Sequence, residues 1–339
     1  MGENEQDSWH WQEPNSAWRG VGIYHITLIV PSREPLLGTL VIPQNDPTQA
    51  KVERTQLGNS LVNELLHIPA FYPEVQVLQF CLMPDHLHTI LYVKRQMKKS
   101  IRMVVRGFWQ GAKKLGREYS SSISPEYNSG TTDGDATPSN DRCSFPFPVF
   151  TEMPFIRPLS CRGQLQAMIR YVQMNPQRLA TKRLKPSFFR VQHNVEINGI
   201  VYNAVGNIAI LMSDNRETVH VRRFMLDAAK QGDDKLLRDY MNGCIIAARK
   251  GAVMVSPFIN PYEKEILSVL LEEKHPIIYL SNNGFGEYYK PSDSLFNAVA
   301  AGQLLILSPH SDNDSPKNIT REDCVKLNNY AKEIATKHH

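Results

Sequence analysis

The stretch CLMPDHLHTILYV, Cys81 to Val93, decides the fold. With the residues before it, it forms two apolar runs, EVQVLQFCL and HLHTILYV, separated only by Met83-Pro84-Asp85. Two β-type runs that close together predict an antiparallel hairpin. Residues two apart on a strand share a face, so His86 and His88 project together while Leu87 turns to the other side. Two imidazoles on one face form a ready claw for a metal ion, and the same pattern suits a pair of half-buried, hydrogen-bonded histidines.

Outward from the hairpin, GIYHITLIV (Gly22 to Val30) reads as a first strand and PLLGTLVIP as a second, with a helix over Gln49 to His67. Residues 99–119 fit a helix whose apolar stripe is Ile101, Val105, Phe108, Ala112, Leu115 and Tyr119. Ser120 to Ser144 is rich in Ser, Thr, Gly, Asp, Asn and Pro and reads as an insert. A helix is expected from Gly163 to Asn175, disturbed by Pro176, which lacks an amide hydrogen. VEINGIVY is a hairpin with Asn198-Gly199 at its turn.

Beyond residue 204 the pattern changes. GNIAILMS reads as a strand and MLDAAKQGDDKLLRDYMNGCIIAARKG as helical. AVMVSPFI, PIIYLS and QLLILSP are short apolar runs separated by helical segments, the signature of βαβ units and a parallel sheet buried on both faces. The expected organisation is a first domain over 18–203 carrying the 120–144 insert, then a Rossmann-like α/β domain over 204–335. That second domain has no G-x-G-x-x-G and no P-loop. Ser256, Pro257 and Gly284-Phe285-Gly286 follow apparent strands, where such sheets bind ligands, and its ligand stays unassigned.

At 339 residues the chain exceeds one typical core, and 42% hydrophobic residues suffice for two. No apolar run reaches the length of a membrane span, and the acidic, polar N-terminus is unlike a secretory signal. A cytoplasmic location is expected, with no membrane partner. Five scattered cysteines without a CxxC pair support neither a disulfide framework nor a zinc knuckle. The net charge is only +4, but residues 94–118 hold nine Lys/Arg against one Glu, and residues 157–190 hold eight with no acid. Two basic segments in one half of a nearly neutral chain suggest a polyanion surface. Arg102, Arg106, Trp109, Lys113 and Arg117 share one face of the 99–119 helix, which suits a solvated surface or phosphate contact alike.

In YVQMNPQR, Tyr171 and Asn175 lie four apart on one helical face. Asn175 offers an amide oxygen as a third ligand beside His86 and His88, and Tyr171 a phenol next to the metal. An amphipathic core tyrosine and a helix-end asparagine would leave the same trace.

MPDHLHTILY followed about eighty residues later by MIRYVQMNPQRLA resembles the single-tyrosine HUH transposases of insertion sequences, most of all the REP-associated tyrosine transposases. YHITLIV resembles that family's opening strand, and FTEMPFIRPLS stands where its members lead into the tyrosine helix. The resemblance covers roughly residues 18 to 190, and the joint motif is specific where either half alone is not. Asp85 stands where the family frequently has Asn, a turn position where the exchange is expected to matter little. The insert and the α/β domain lie outside the family's minimal domain.

The resemblance implies a ferredoxin-like antiparallel sheet with helices, so the fold class expected for the chain is α+β followed by Rossmann-like α/β. It also implies Mg²⁺ or Mn²⁺ on His86, His88 and Asn175, with Tyr171 as nucleophile. The expected partner is single-stranded, hairpin-forming DNA near the nucleoid, with a homodimer compatible. For that substrate Arg102, Arg106, Lys113 and Arg117, with Arg170, Arg178, Lys182 and Arg183, are the candidates for backbone contacts, and Trp109, Trp9, Trp11 and Trp18 for stacking on unpaired bases. Two other classes stay open: a DNA-binding module without chemistry, and a ligand sensor acting through the α/β domain.

Overall fold

The computed structural model describes residues 21–123, 148–161, 163–286, 289–310 and 319–336. Trp9, Trp11, Trp18, Cys143 and most of the 120–144 insert lie outside the described residues. The fold is mixed helix and sheet, in two compact units that divide between Ala180 and Thr181.

In the first unit, β1 (Gly22–Ile29) is followed by β2 (Gly38–Val41), β3 (Lys51–Arg54), α1 (Gln56–Leu66), the short α2 (Ile68–Phe71), β4 (Val75–Leu82), β5 (His86–Val93) and α3 (Ile101–Ile123). Then come β6 (Phe155–Pro158), α4 (Gln164–Gln173) and α5 (Asn175–Leu184), the last of which spans the division. The main sheet has the order β4-β5-β1-β6 with every pair antiparallel. With α1 and α3 as its two crossover helices, that is the βαββαβ arrangement of ferredoxin-like folds. The helix expected over Gln49 to His67 is shorter. Its first residues form β3, which pairs with β2, and α1 begins only where Thr55 accepts the Gly58 amide as N-cap.

Strand alternation gives the main sheet two different faces. Tyr24, Ile26 and Leu28 of β1, Leu87 and Leu91 of β5 and Ile156 of β6 join Leu57, Leu61 and Leu65 of α1 and Ile101, Val104, Val105, Phe108 and Ala112 of α3 in one buried cluster. His25 and Thr27 of β1 and His86 and His88 of β5 take the opposite face by the same period of two. That second face is where α4 packs, against β4 and β5.

The second unit continues with α6 (Pro186–Phe189), β7 (Gln192–Ile197), β8 (Ile200–Gly206), β9 (Arg216–Thr218), α7 (Arg223–Lys230), α8 (Lys235–Arg249), β10 (Val253–Ser256), α9 (Pro261–Glu272), β11 (Ile277–Leu280), α10 (Asp293–Ala301), β12 (Leu304–Ser308) and α11 (Arg321–Ala335). Its sheet has the order β7-β8-β12-β11-β10-β9. The four strands from β9 to β12 are parallel, and β8 joins β12 antiparallel. Met254, Ile277, Leu304 and Ile306 pack with residues of α8, α9 and α10, whereas Val253, Val255, Ile278, Leu305 and Leu307 pack with Leu327, Ala331 and Ile334 of α11. Both faces are therefore covered, as the unbroken apolar runs require.

The hairpin 192–206 lies in the second compact unit, where β8 is bonded to β12. GNIAILMS is not a strand; Ile208–Met212 is a 3-10 turn opened by the Asn207 side chain accepting the Ala209 amide. The parallel strands succeed one another across the sheet without reversing, so no switch-point crevice of a doubly wound sheet forms among them. The turn residues Asn198 (φ 52°) and Gly199 (φ 77°) do occupy the left-handed region that a two-residue hairpin demands.

Gly58 sits where α1 crosses the loop before β2, and a Cβ there would run into the backbone oxygen of Leu37. Gly58→Ala is expected to lower stability by about 1–3 kcal/mol in urea unfolding, through overpacking. A gain in stability, as helix propensity alone would give, would show that this contact relaxes freely.

Candidate active site on the open face of the first sheet

The site begins with the pairing of β1 and β5. Their register sets Thr27 opposite His88 and Ile29 opposite His86. The His86 and His88 ring centroids are 4.8 Å apart and nearly perpendicular, at 88°. His88 Nδ1 lies 2.9 Å from Thr27 Oγ1 and 3.1 Å from His25 Nε2, so with its hydrogen on Nδ1 it has acceptors in reach on β1. His86 Nδ1 lies 2.6 Å from Asp85 Oδ1. Both histidines thus engage through Nδ1.

His25, which sequence reasoning passed over, is 5% exposed and stacks on His88 with centroids 5.2 Å apart. Burial, and then the Arg157 charge, lower its pKa to about 4. Its sequence signal was its place in β1, where the period of two sets it on one face with Thr27, opposite the apolar Ile26 and Leu28. Burial opposes the ionisation of Asp85, but its hydrogen bond to His86 and the Arg33 guanidinium outweigh this and hold the carboxyl below its usual range.

From above, α4 brings Tyr171. Its ring centroid is 5.6 Å from that of His88 and 6.2 Å from that of His25, edge-on to both. The helix expected to run from Gly163 to Asn175 breaks at Met174, and Asn175 opens α5 with Pro176 in its first turn. Pro176 is accommodated because the first turn needs no amide hydrogen. Asn175 is buried, at 5% exposure, and its Nδ2 donates to Val172 O at 3.5 Å. Ala180 and Leu179 of α5 pack with Leu40 and Ala50 around the β2–β3 hairpin, which fixes this corner.

The cationic candidates are dispersed. Arg178 is 7% exposed, and its guanidinium lies 5.4 Å from the Tyr171 ring centroid, so it forms part of the site wall rather than an outer phosphate contact. Arg170 is exposed on α4; Lys182 and Arg183 occupy the last turn of α5. Arg102, Arg106, Lys113 and Arg117 lie on α3, whose core residues pack on the sheet face opposite the histidines. Trp109 is not a stacking platform: it is 9% exposed, sits in the core cluster, and donates its indole N–H to Phe150 O and Thr151 O, both at 3.1 Å. Arg157, exposed on β6 at the edge of the histidine face, was not among the expected contacts.

Among the described residues no group of three or more His, Cys, Asp or Glu side chains is arranged to hold a metal ion. The expected donor set is two imidazoles and an amide, and its chemistry fits a divalent cation: each imidazole is tied through Nδ1, the arrangement in which Nε2 serves as the ligand atom.

In the second unit, Ser256 Oγ accepts the Phe258 amide at 3.0 Å, and Phe285 is buried against Tyr289, so both have structural work. A cavity of about 510 Å³ is lined by His220, Arg223, Asp227, Lys230, Arg321 and Asn328, among others, with Asp227 paired to both Arg223 and Lys230. No helix among the described residues is long and apolar enough to cross a membrane.

No family model matches the chain. A Haemophilus influenzae protein of uncharacterized function is 32% identical over 81 residues, which is 24% of this chain and 41% of that protein, so the chain spans about two fifths of the curated relative it matches. A solved REP-associated tyrosine transposase bound to a REP hairpin aligns with 48% of this chain and 72% of its own, at 11% identity and a TM-score of 0.29. A Deinococcus radiodurans structure assigned as a transposase aligns with 48% of this chain and 97% of its own, at 13% identity and a TM-score of 0.27. Likeness at that level decides neither fold nor activity.

His25 has a native pKa of about 4 against about 6.5 unfolded. Between those values the unfolded chain binds a proton that the native chain does not, so His25's contribution is intact above about pH 6.5 and declines as pH falls towards 4. The groups facing it are His88, Tyr171 and Arg157. Histidine NMR titration of the metal-free protein is expected to show His25 neutral at pH 5.5, and His25→Gln to weaken the acid dependence of the urea midpoint. An ordinary imidazole titration at residue 25 would contradict this burial.

Proposed function

We propose that the first unit is a metal-dependent single-strand DNA transesterase of the transposase type, with Tyr171 as nucleophile. The observation that supports this is the convergence of His86 and His88 on β5 with Tyr171 on α4, the His88 and Tyr171 rings 5.6 Å apart. Two elements far apart in sequence bring two imidazoles and a phenol to one face.

His86, His88 and the amide oxygen of Asn175 would hold Mg²⁺ or Mn²⁺. When bound, such a cation withdraws charge from a nonbridging oxygen of the scissile phosphate. A phenol with a pKa near ~10 is a weak nucleophile at neutral pH and needs help from its surroundings; the Arg178 guanidinium lies 5.4 Å from the Tyr171 ring centroid. Tyr171 Oη attacks phosphorus in line as the bond from phosphorus to the 3′-oxygen breaks. The departing 3′-oxygen ends protonated, a proton having left the phenol, and the 5′ side remains as a phosphotyrosine ester. One phosphodiester replaces another, so no nucleoside triphosphate is consumed, and the reverse step with a different 3′-end is strand transfer. Arg157 and Arg170 suit the backbone next to the cleaved bond, whereas the α3 cations would engage DNA that passes to the other side of the sheet.

The substrate proposed is single-stranded DNA carrying a hairpin. Incubation with 5′- and 3′-labelled hairpin strands and Mn²⁺ is expected to yield a protein–DNA adduct mapped by mass spectrometry to Tyr171. The adduct should be absent with chelator and in Tyr171→Phe, while salt-sensitive binding persists in that variant. Binding without any adduct would support a DNA-binding module without chemistry; cleavage that survives in Tyr171→Phe would replace the tyrosine by water.

A further inference from the structure

We infer that Asp85 is a positioning residue: it holds His86 with its hydrogen on Nδ1 and so presents Nε2 as the atom that meets a divalent cation, an assignment that rests on the metal site proposed above. Sequence reasoning treated residue 85 as an interchangeable turn position. The structure gives it three separate restraints. Its backbone oxygen accepts the Val30 amide at 2.9 Å, which pins the β4–β5 turn to the end of β1. Its Oδ1 lies 2.6 Å from His86 Nδ1. Its Oδ2 lies 3.4 Å from Arg33 Nη1. The side chains of His86 and Asp85 are only 15% and 23% exposed, so water competes weakly for that hydrogen bond.

The Arg33 contact has its own conformational cost. Ser32 and Arg33 both have positive φ, 56° and 57°, in a segment without glycine. Non-glycine residues persist there only when surrounding contacts impose it. This backbone carries the guanidinium to the far oxygen of Asp85, leaving the near oxygen directed at His86.

A neutral imidazole has one donor and one acceptor nitrogen, and the partner at one fixes the role of the other. A carboxylate only accepts, so in the neutral ring the hydrogen resides on Nδ1 and the Nε2 lone pair is available. A carboxylate behind a ligating histidine also raises its basicity. His88 Nδ1 faces instead Thr27 Oγ1 and His25 Nε2 on β1, groups that can each donate or accept. The two histidines are thus held by different elements, and the Asp85 contact can be removed without touching the other.

The test uses the full chain without metal and with Mn²⁺. Long-range ¹⁵N–¹H NMR of the metal-free protein is expected to show His86 as the Nδ1–H tautomer in the wild type and in Asp85→Asn, whose amide oxygen still accepts. In Asp85→Ala it should shift towards Nε2–H. Mn²⁺ affinity, followed by the loss of the free-ion EPR signal, should weaken about 10–100-fold in Asp85→Ala and less in Asp85→Asn. An unchanged His86 tautomer, or unchanged Mn²⁺ affinity, in a folded Asp85→Ala protein overturns the inference. If the wild type binds no Mn²⁺ while the tautomer still follows residue 85, the proposed metal site fails and the control of His86 by Asp85 stands.

Discussion

The antiparallel pairing of β1 with β5 is the constraint on which the first unit depends. Because side chains alternate with a period of two, one register decides both faces at once. With Leu28 opposite Leu87, both enter the core beneath α1 and α3, and Thr27 opposite His88 puts a hydroxyl beside an imidazole on the open face. A slip by one residue would drive the histidines into the core and expose the leucines. The apolar face therefore enforces the geometry of the polar one, and no separate device is needed to bring His25, Thr27, His86 and His88 together.

A second layer of polar contacts then orders that face. Each candidate histidine ligand is engaged through Nδ1, one by Asp85 and one from β1, and His25 is kept neutral by burial and by Arg157. Over it, α4 places Tyr171, and the break at Met174 turns the chain so that Asn175 and Arg178 begin a new helix next to it. Arg178 packs on the tyrosine ring rather than on an outer surface.

The second unit obeys a different rule. Its central strands carry apolar residues at successive positions because helices cover both faces, α8, α9 and α10 on one and α11 on the other. Polar residues that looked like loop chemistry there serve the backbone instead. Ser256 closes a turn, and the buried Glu263 accepts the Val221, Ile259 and Asn260 amides at the start of α9.

Local pattern alone determined the hairpin around Met83-Pro84-Asp85, the shared face of His86 and His88, the apolar stripe of α3 and the Asn198-Gly199 turn, because each depends on neighbours within a few residues. Tertiary structure decided what depends on distant partners. Lys51–Arg54 became a strand because β2 was there to pair with it, and residues 192–206 joined the second unit because β12 offered an open edge. Trp109 reads as a surface indole on a helical wheel and is a core residue because the Phe150 and Thr151 carbonyls receive its N–H. The α3 cations are close in sequence to the HxH strand and are separated from it by the thickness of the sheet. His25, Arg178 and Asp85 acquire their places only when β1, α5 and the β4–β5 turn meet. A one-dimensional pattern records which face a side chain takes on its own element, and folding decides what stands opposite.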